Sequence, residues 1–212
     1  MCADYLRLER VISELAEAGV EYMHFDIMDG CFVPNFTFGP GLLNSVRSVT
    51  DIPFDIHLMV KQPELHLDSF DIRANDIVSV HQESTAQLRS ALYEIRKKGA
   101  RSGVALSPGT DIHTIESVLE GIDVLLLMAV NPGFSGQKMI PTTLKKISNA
   151  KELLQAKRFG AVEIEVDGNV SFENAETMRS AGADIFVAGS SSLFMKDISI
   201  ADAVARLRFA VK

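Results

Sequence analysis

Two apolar spacings take turns along this chain. Tyr5 to Ala18 carries Leu8, Val11, Ile12 and Leu15 at helical intervals, and Gly19 follows as a helix stop. EYMHFDIMD (21–29) then reads as a strand. Further short apolar runs predict strands at 53–60, 76–82, 102–108, 124–130, 162–168 and 184–190. Between them, helical spacing predicts helices at 41–48, 63–72, 85–98, 112–120, 142–157, 172–181 and 199–210. Several strands, VLLLMAV (124–130) most clearly, are apolar almost throughout, as parallel strands covered on both faces are.

This rhythm gives seven strands and eight helices, with a helix at each end. A (β/α)8 TIM barrel has eight of each and begins on a strand. The simplest reading is such an α/β barrel whose first strand is truncated, with only Met-Cys-Ala left of its end. The alternative is an open doubly wound sheet of seven strands. No linker or low-complexity tract interrupts the pattern, so residues 1–212 read as a single domain.

Polar residues break the pattern at particular places. HFDIMDG (24–30) is apolar enough for a buried strand, yet it holds one histidine and two aspartates. An unpaired carboxylate buried there would be costly. Strand side chains alternate between faces, so His24, Asp26 and Met28 share one face. Asp55, His57 and Met59 do the same in the next strand, and Glu163, Glu165 and Asp167 in the sixth. Each set lies at the C-terminal end of its strand, the active face of an α/β barrel. Convergence of His24, Asp26, His57 and Asp167 in one barrel mouth would make a site for a divalent metal: Zn, Fe, Mn or Co. The alternative is that the histidines are satisfied by hydrogen bonds and the acids line the rim. A metal there would compensate the carboxylates. It would also stabilise an enediolate formed by removing a proton beside a ketone, with one acid as base and a second, on the opposite face, as acid.

Three consecutive loops carry glycine and serine after a strand: NPGFSGQ (131–137), DGNVSFEN (167–174) and GSSSLF (189–194). Backbone amides of such loops, backed by helix N-termini, suit a phosphate. Ordinary tight turns into helices would look the same.

Composition narrows the partners. Of 212 residues 47% are hydrophobic, and the net charge is −7 with no basic cluster, which disfavours nucleic acid and anionic membranes. Cys2 and Cys31 are the only cysteines, the N-terminus has no apolar signal core, and no stretch is long enough to span a membrane. A cytoplasmic protein is the resulting expectation.

The motifs HFDIMDGCFVPNFTFGP (24–40), DIHLMV (55–60), MAVNPGFSGQ (128–137), EIEVDG (163–168) and FVAGSSSLF (186–194) resemble the ribulose-phosphate 3-epimerase family across nearly the whole chain. The resemblance implies a metal-dependent (β/α)8 barrel that inverts carbon 3 of a ketose phosphate. It implies one divalent metal held by His24, Asp26, His57 and Asp167, with Asp26 and Asp167 as the acid/base pair. It implies substrate or phosphate contacts at His57, Gly133, Phe134, Ser135, Gly136, Gly168, Asn169, Gly189 and Ser190. Met28, Met59 and Met128 would shield the enediolate, although methionines on strands are equally at home in a core. A homo-oligomer, dimer or hexamer, is implied as well.

The chain departs from that pattern in places. The family's first strand, with a serine that touches substrate, is missing. Asn169 stands where a second glycine is usual, and would add a side-chain amide at the phosphate. HQES (81–84) replaces the usual H-x-E-A, and MCAD, HQES and GSSSLF lean toward the branch acting on allulose 6-phosphate. The leading expectation is interconversion of D-ribulose 5-phosphate and D-xylulose 5-phosphate, with D-allulose 6-phosphate/D-fructose 6-phosphate as the alternative. Phosphate-binding barrels that decarboxylate or condense sugar phosphates resemble a D-x-K-x-x-D strand, but Met28 stands where that lysine would be. A catalytically silent phosphate-binding barrel is the remaining rival, favoured only by the missing strand.

Overall fold

The computed structural model describes residues 2–212. Seven strands form one sheet: β1 (Met23–Met28), β2 (Phe54–Met59), β3 (Ile77–His81), β4 (Arg101–Leu106), β5 (Val124–Met128), β6 (Glu163–Asp167) and β7 (Ile185–Val187). All neighbours are parallel and the spatial order is the chain order, β1 to β7. Six α-helices accompany them: α1 (Leu8–Ala18), α2 (Pro40–Val46), α3 (Leu88–Lys97), α4 (Thr143–Ala156), α5 (Phe172–Ala181) and α6 (Ile200–Ala210). The sheet curls as a barrel wall does. Helix α1 packs against α6, and residues of both edge strands line one cavity. Among the described residues β1 pairs only with β2 and β7 only with β6, and both edges line the same cavity across a slot. Among the described residues no strand precedes β1; Tyr5–Arg7 forms a 3-10 turn capped by the Asp4 carboxylate.

Two predicted α-helices take another form. Residues 63–72 form two separate 3-10 turns, Pro63–Leu65 and Leu67–Ser69. Gln62 enters with a left-handed backbone and Pro63 cannot donate to a preceding turn, so the segment follows the wall without winding a continuous helix. Residues 112–120 lie in a ten-residue 3-10 helix, Ile112–Gly121. Its buried residues are Ile112, Ile115, Val118 and Leu119, a set that a 3-10 helix and an α-helix would both place on one face over so short a length.

The sheet divides two interiors. On its outer face Phe25, Ile27, Phe54, Ile56, Leu58, Val78, Val80, Val104, Leu125, Ile164 and Val166 pack with the helices in one large apolar core. On its inner face the buried residues include Asp55, His57, Ser79, His81 and Glu165. The wall is pinned at its N-terminal end by Asp76. Its carboxylate accepts from the backbone of Phe54 (2.7 Å) and Arg73 (2.7 Å) and pairs with the buried guanidinium of Arg47, which lies 3.4 Å from the Phe54 ring centroid. Asp76→Asn would leave Arg47 buried without its counter-charge. Removing one partner of a buried pair typically costs about 3–5 kcal/mol. We expect urea unfolding to report a loss of that order; a loss below about 1 kcal/mol would show that Arg47 finds another partner or water.

Candidate active site

The inner-face alternation brings the polar ends of β1, β2 and β6 together. Register pairs Asp26 with His57 and His24 with Asp55, and Asp167 of β6 reaches toward His57 across the inner face. Asp26 Oδ1 lies 3.3 Å from His24 Nε2 and 3.3 Å from His57 Nδ1, and Asp167 Oδ2 lies 3.9 Å from His57 Nδ1. One donor atom from each of His24, Asp26, His57 and Asp167 falls within 4.8 Å of the others. Two imidazoles and two carboxylates converging this closely fit a single divalent cation. His24, Asp55 and Glu165 form a second such group, one layer deeper, but there His24 Nδ1 is already held by Asp55 Oδ2 at 2.5 Å. That contact orients His24, so that Nε2 faces the first group.

The buried charges set one another's protonation. Burial alone would raise Asp26, but the charge of His24 and hydrogen bonds from His24 and His57 outweigh it and hold the carboxyl well below its ordinary range. Burial, then the charge of Asp26, pushes Asp167 up. Burial opposes a charge on His24, yet Asp55 and Asp26 prevail and push the imidazole well above its usual value. Glu165 goes well up, through burial and then the charge of Asp55. The two aspartates of the mouth are thus driven in opposite directions, as an acid/base pair needs.

The methionines complete the inner surface. Met28 and Met59 pack with Val33 and Phe32, and Met128 with Ala105 and Leu126. All three line a cavity of about 580 Å³ together with His24, Asp26 and Asp167; His57 is fully buried behind them. The glycine-bearing loops line it too, through Gly133, Phe134, Ser135, Gly136, Gly168, Asn169, Gly189 and Ser190. The cavity continues down the slot between β1 and β7. Gly168 sits at φ 114°, and a Cβ there would come within 2.6 Å of Val130, so this turn demands glycine. Asn169 follows in the left-handed region at φ 50°. Its side chain acts as a strut: it accepts from the Met139 amide (3.0 Å) and from Asn174 (3.0 Å), and donates to Ser191 Oγ (3.0 Å). The loop after β1 is tied in as well. Asn35 donates to the Gly133 carbonyl at 2.7 Å, and Asp29 accepts from the backbone of Cys31, Phe32 and Lys61.

Four residues stand at the site without having been predicted for it: Asp55, Glu165, His81 and Glu83. The first two were visible as same-face partners of His57 and Asp167. His81 was visible in HQES, where β3 puts it on the inner face. Its Nε2 lies 2.8 Å from His57 Nε2, and its Nδ1 lies 3.1 Å from Glu83 Oε2. Burial lowers His81 to about 4; against the pull of burial, hydrogen bonds from His81 and Thr110 lower Glu83 to about 2.

With this geometry in view, comparison with known proteins is decisive. The ribulose-phosphate 3-epimerase family model matches residues 1–194. The chain belongs to that family. It is 41% identical over 191 residues to ribulose-phosphate 3-epimerase of Bacillus subtilis, covering 90% of this chain and 88% of the relative. It is 42% identical over 199 residues to the chloroplastic ribulose-5-phosphate-3-epimerase of Arabidopsis thaliana, covering 93% of this chain and 70% of the relative. As a family member it is an epimerase, an enzyme of the isomerase class. Among solved structures, KGPDC from Streptococcus mutans superposes with a TM-score of 0.69 at 13% identity over 96% of this chain and 92% of its own. Thiamine phosphate pyrophosphorylase from Pyrococcus furiosus gives 0.64 at 17% over 96% and 88%. At such identities these two report the barrel fold alone. No helix among the described residues is long and apolar enough to cross a membrane.

A cation entering the first group must displace the proton that the raised His24 carries at Nε2. Metal uptake should therefore release protons, and affinity should rise with pH until His24 is deprotonated in the free protein. Calorimetric titration with Mn²⁺ in two buffers of different ionisation enthalpy measures this directly. We expect about one proton released per metal at neutral pH; binding with no proton release would contradict the charged His24.

Proposed function

We propose that this epimerase interconverts D-ribulose 5-phosphate and D-xylulose 5-phosphate, with Asp26 and Asp167 as the two proton-transfer groups. The observation that carries the reading is the pair itself: two buried aspartates in one cavity, one pushed down and one pushed up, with His24 and His57 beside them. His24, Asp26, His57 and Asp167 would hold a divalent ion, Zn, Fe, Mn or Co. When bound, it supplies positive charge that makes the proton beside the ketone more acidic. Asp26 begins ionised and removes the carbon-3 proton of one epimer; Asp167 returns a proton from the opposite face. In the reverse direction the roles exchange. Met28, Met59 and Met128 offer an apolar, polarisable wall that keeps water from the planar enediolate.

The phosphate end is assigned to backbone amides of 133–136, 168–169 and 189–190. Asn169 serves that end as the strut between its loops, because its amide is engaged by Ser191. Phe134, half exposed at the cavity, contributes apolar cover. We infer that the chain works as a homo-oligomer. The six-carbon pair, D-allulose 6-phosphate and D-fructose 6-phosphate, is the second reading, supported by MCAD, HQES and GSSSLF; the same assay with both sugar lengths decides between them.

Replacing Asp26 or Asp167 by Asn should reduce epimerisation by at least ~10²–10⁴-fold, the usual contribution of a positioned proton-transfer group. With metal still bound, each variant should retain exchange of the carbon-3 proton with deuterated water, but for one epimer only. Asp26→Asn and Asp167→Asn should select opposite epimers. Exchange of the same epimer by both, or inversion at the original rate, would contradict the two-aspartate assignment.

A further inference from the structure

Behind His57, on the side away from the cavity, the structure holds a chain of hydrogen-bonding groups that the proton transfer does not use. His57 Nδ1 faces Asp26 and Asp167, at 3.3 and 3.9 Å. Its other nitrogen, Nε2, meets His81 Nε2 at 2.8 Å, with the two rings stacked at a centroid distance of 5.0 Å. His81 Nδ1 meets Glu83 Oε2 at 3.1 Å. The second oxygen of Glu83 is fixed by the Ser107 amide at 2.8 Å and by the Thr110 hydroxyl. The loop bearing Ser107 is itself clamped, since Lys146 Nζ donates to the Ser107 carbonyl at 2.7 Å. Both imidazoles are fully buried, so no bulk water competes for these positions.

We propose that Glu83, acting through His81, is a positioning residue that fixes the tautomer of His57 and so presents the Nδ1 lone pair to the metal; this rests on the metal reading above. The direction of the chain follows from counting hydrogens. Two ring nitrogens 2.8 Å apart share one hydrogen, so one donates and the other accepts. A carboxylate only accepts, so His81 must turn an N–H toward Glu83 from Nδ1. A neutral His81 then has a lone pair at Nε2, and His57 donates to it from its own Nε2. That gives His57 its hydrogen at Nε2 and frees Nδ1, on the side where the other three ligands converge, to exchange the hydrogen it otherwise shares with Asp26 Oδ1 (3.3 Å) for a metal. The reverse arrangement would set a lone pair of His81 against the Glu83 carboxylate and put a hydrogen at the metal position. An imidazole ligand needs its second nitrogen engaged by a partner of this kind, and losing that partner typically costs 10–100-fold in metal affinity. An H-x-E sequence at the end of β3 supplies both links, because residues 81 and 83 bracket the turn out of the strand.

Glu83→Gln tests the inference, because it reverses the chain without changing its length. The glutamine oxygen accepts from Ser107 and Thr110, which turns its NH2 toward His81 Nδ1. His81 then accepts there and donates from Nε2, and His57 is forced to carry its hydrogen at Nδ1. Two measurements are made on the full chain: nitrogen-15 spectra of the histidine rings in the metal-free protein, and titration with cobalt(II) followed by visible absorption. We expect His81 to resonate with its hydrogen at Nδ1 in the original chain and at Nε2 in Glu83→Gln. We expect cobalt affinity to fall 10–100-fold in the variant. A His81 carrying its hydrogen at Nε2 in the original chain overturns the proposal, and so does a variant that binds cobalt with unchanged affinity. Should Glu83→Gln fail to fold, the spectrum of the original chain decides alone. Failure of the original chain to bind cobalt would strike the metal reading, while the ring spectra would still report the tautomer.

Discussion

Seven acids and imidazoles share the inside of one barrel, where each sets the charge of its neighbours. His24, Asp26, Asp55, His57, His81, Glu165 and Asp167 occupy the inner side of four strands, where burial penalises every isolated charge. The observed solution is a set of dependent choices. Asp55 and Asp26 flank His24 and push it toward its charged form; His24 and His57 face Asp26 and hold it toward its ionised form. Glu165 and Asp167 are pushed toward their neutral forms because the negative charge nearby is already taken. The unequal pair of aspartates proposed for proton transfer is a consequence of this arrangement, not a separate device.

The apolar half of the protein makes that arrangement possible. Alternation along each strand sends Phe25, Ile27, Ile56 and Leu58 outward into the core beneath the helices, and the polar residues between them inward. Loops at the C-terminal ends of the strands then close over the polar interior. They are tied to each other by Asn35 to Gly133 and by Asn169 to Ser191, so the candidate phosphate loops keep a fixed distance from the acids. Such ties would limit the motion needed to bring a substrate carbon between the two aspartates proposed for proton transfer.

Much of this was legible along the chain. Period-two alternation in MHFDIM, FDIHLM and EIEVD is enough to put His24 with Asp26, Asp55 with His57, and Glu165 with Asp167 on one face of their strands. All seven strands stand where apolar runs predicted them, within a few residues at their ends. What alternation leaves open is which buried polar group touches which, since contacts between β2 and β3 or β1 and β6 depend on curl and register. His81 and Glu83 illustrate it: HQES read as a departure from a family motif, and its partner, His57, lies on another strand. The helix at 112–120 failed for a different reason. Over nine residues, periods of 3.0 and 3.6 place nearly the same apolar positions, and only the backbone distinguishes them.

The central claim is that four side chains from three strands form one metal site at the barrel mouth. Anomalous diffraction from crystals of the cobalt-loaded protein, recorded at the cobalt edge, tests it most directly. The account predicts a single site bonded to His24 Nε2, His57 Nδ1 and an oxygen each of Asp26 and Asp167, at about 2.0–2.2 Å. A cobalt ion seated instead between Asp55, Glu165 and His24 Nδ1, or two of the four proposed ligands turned away from it, would contradict it.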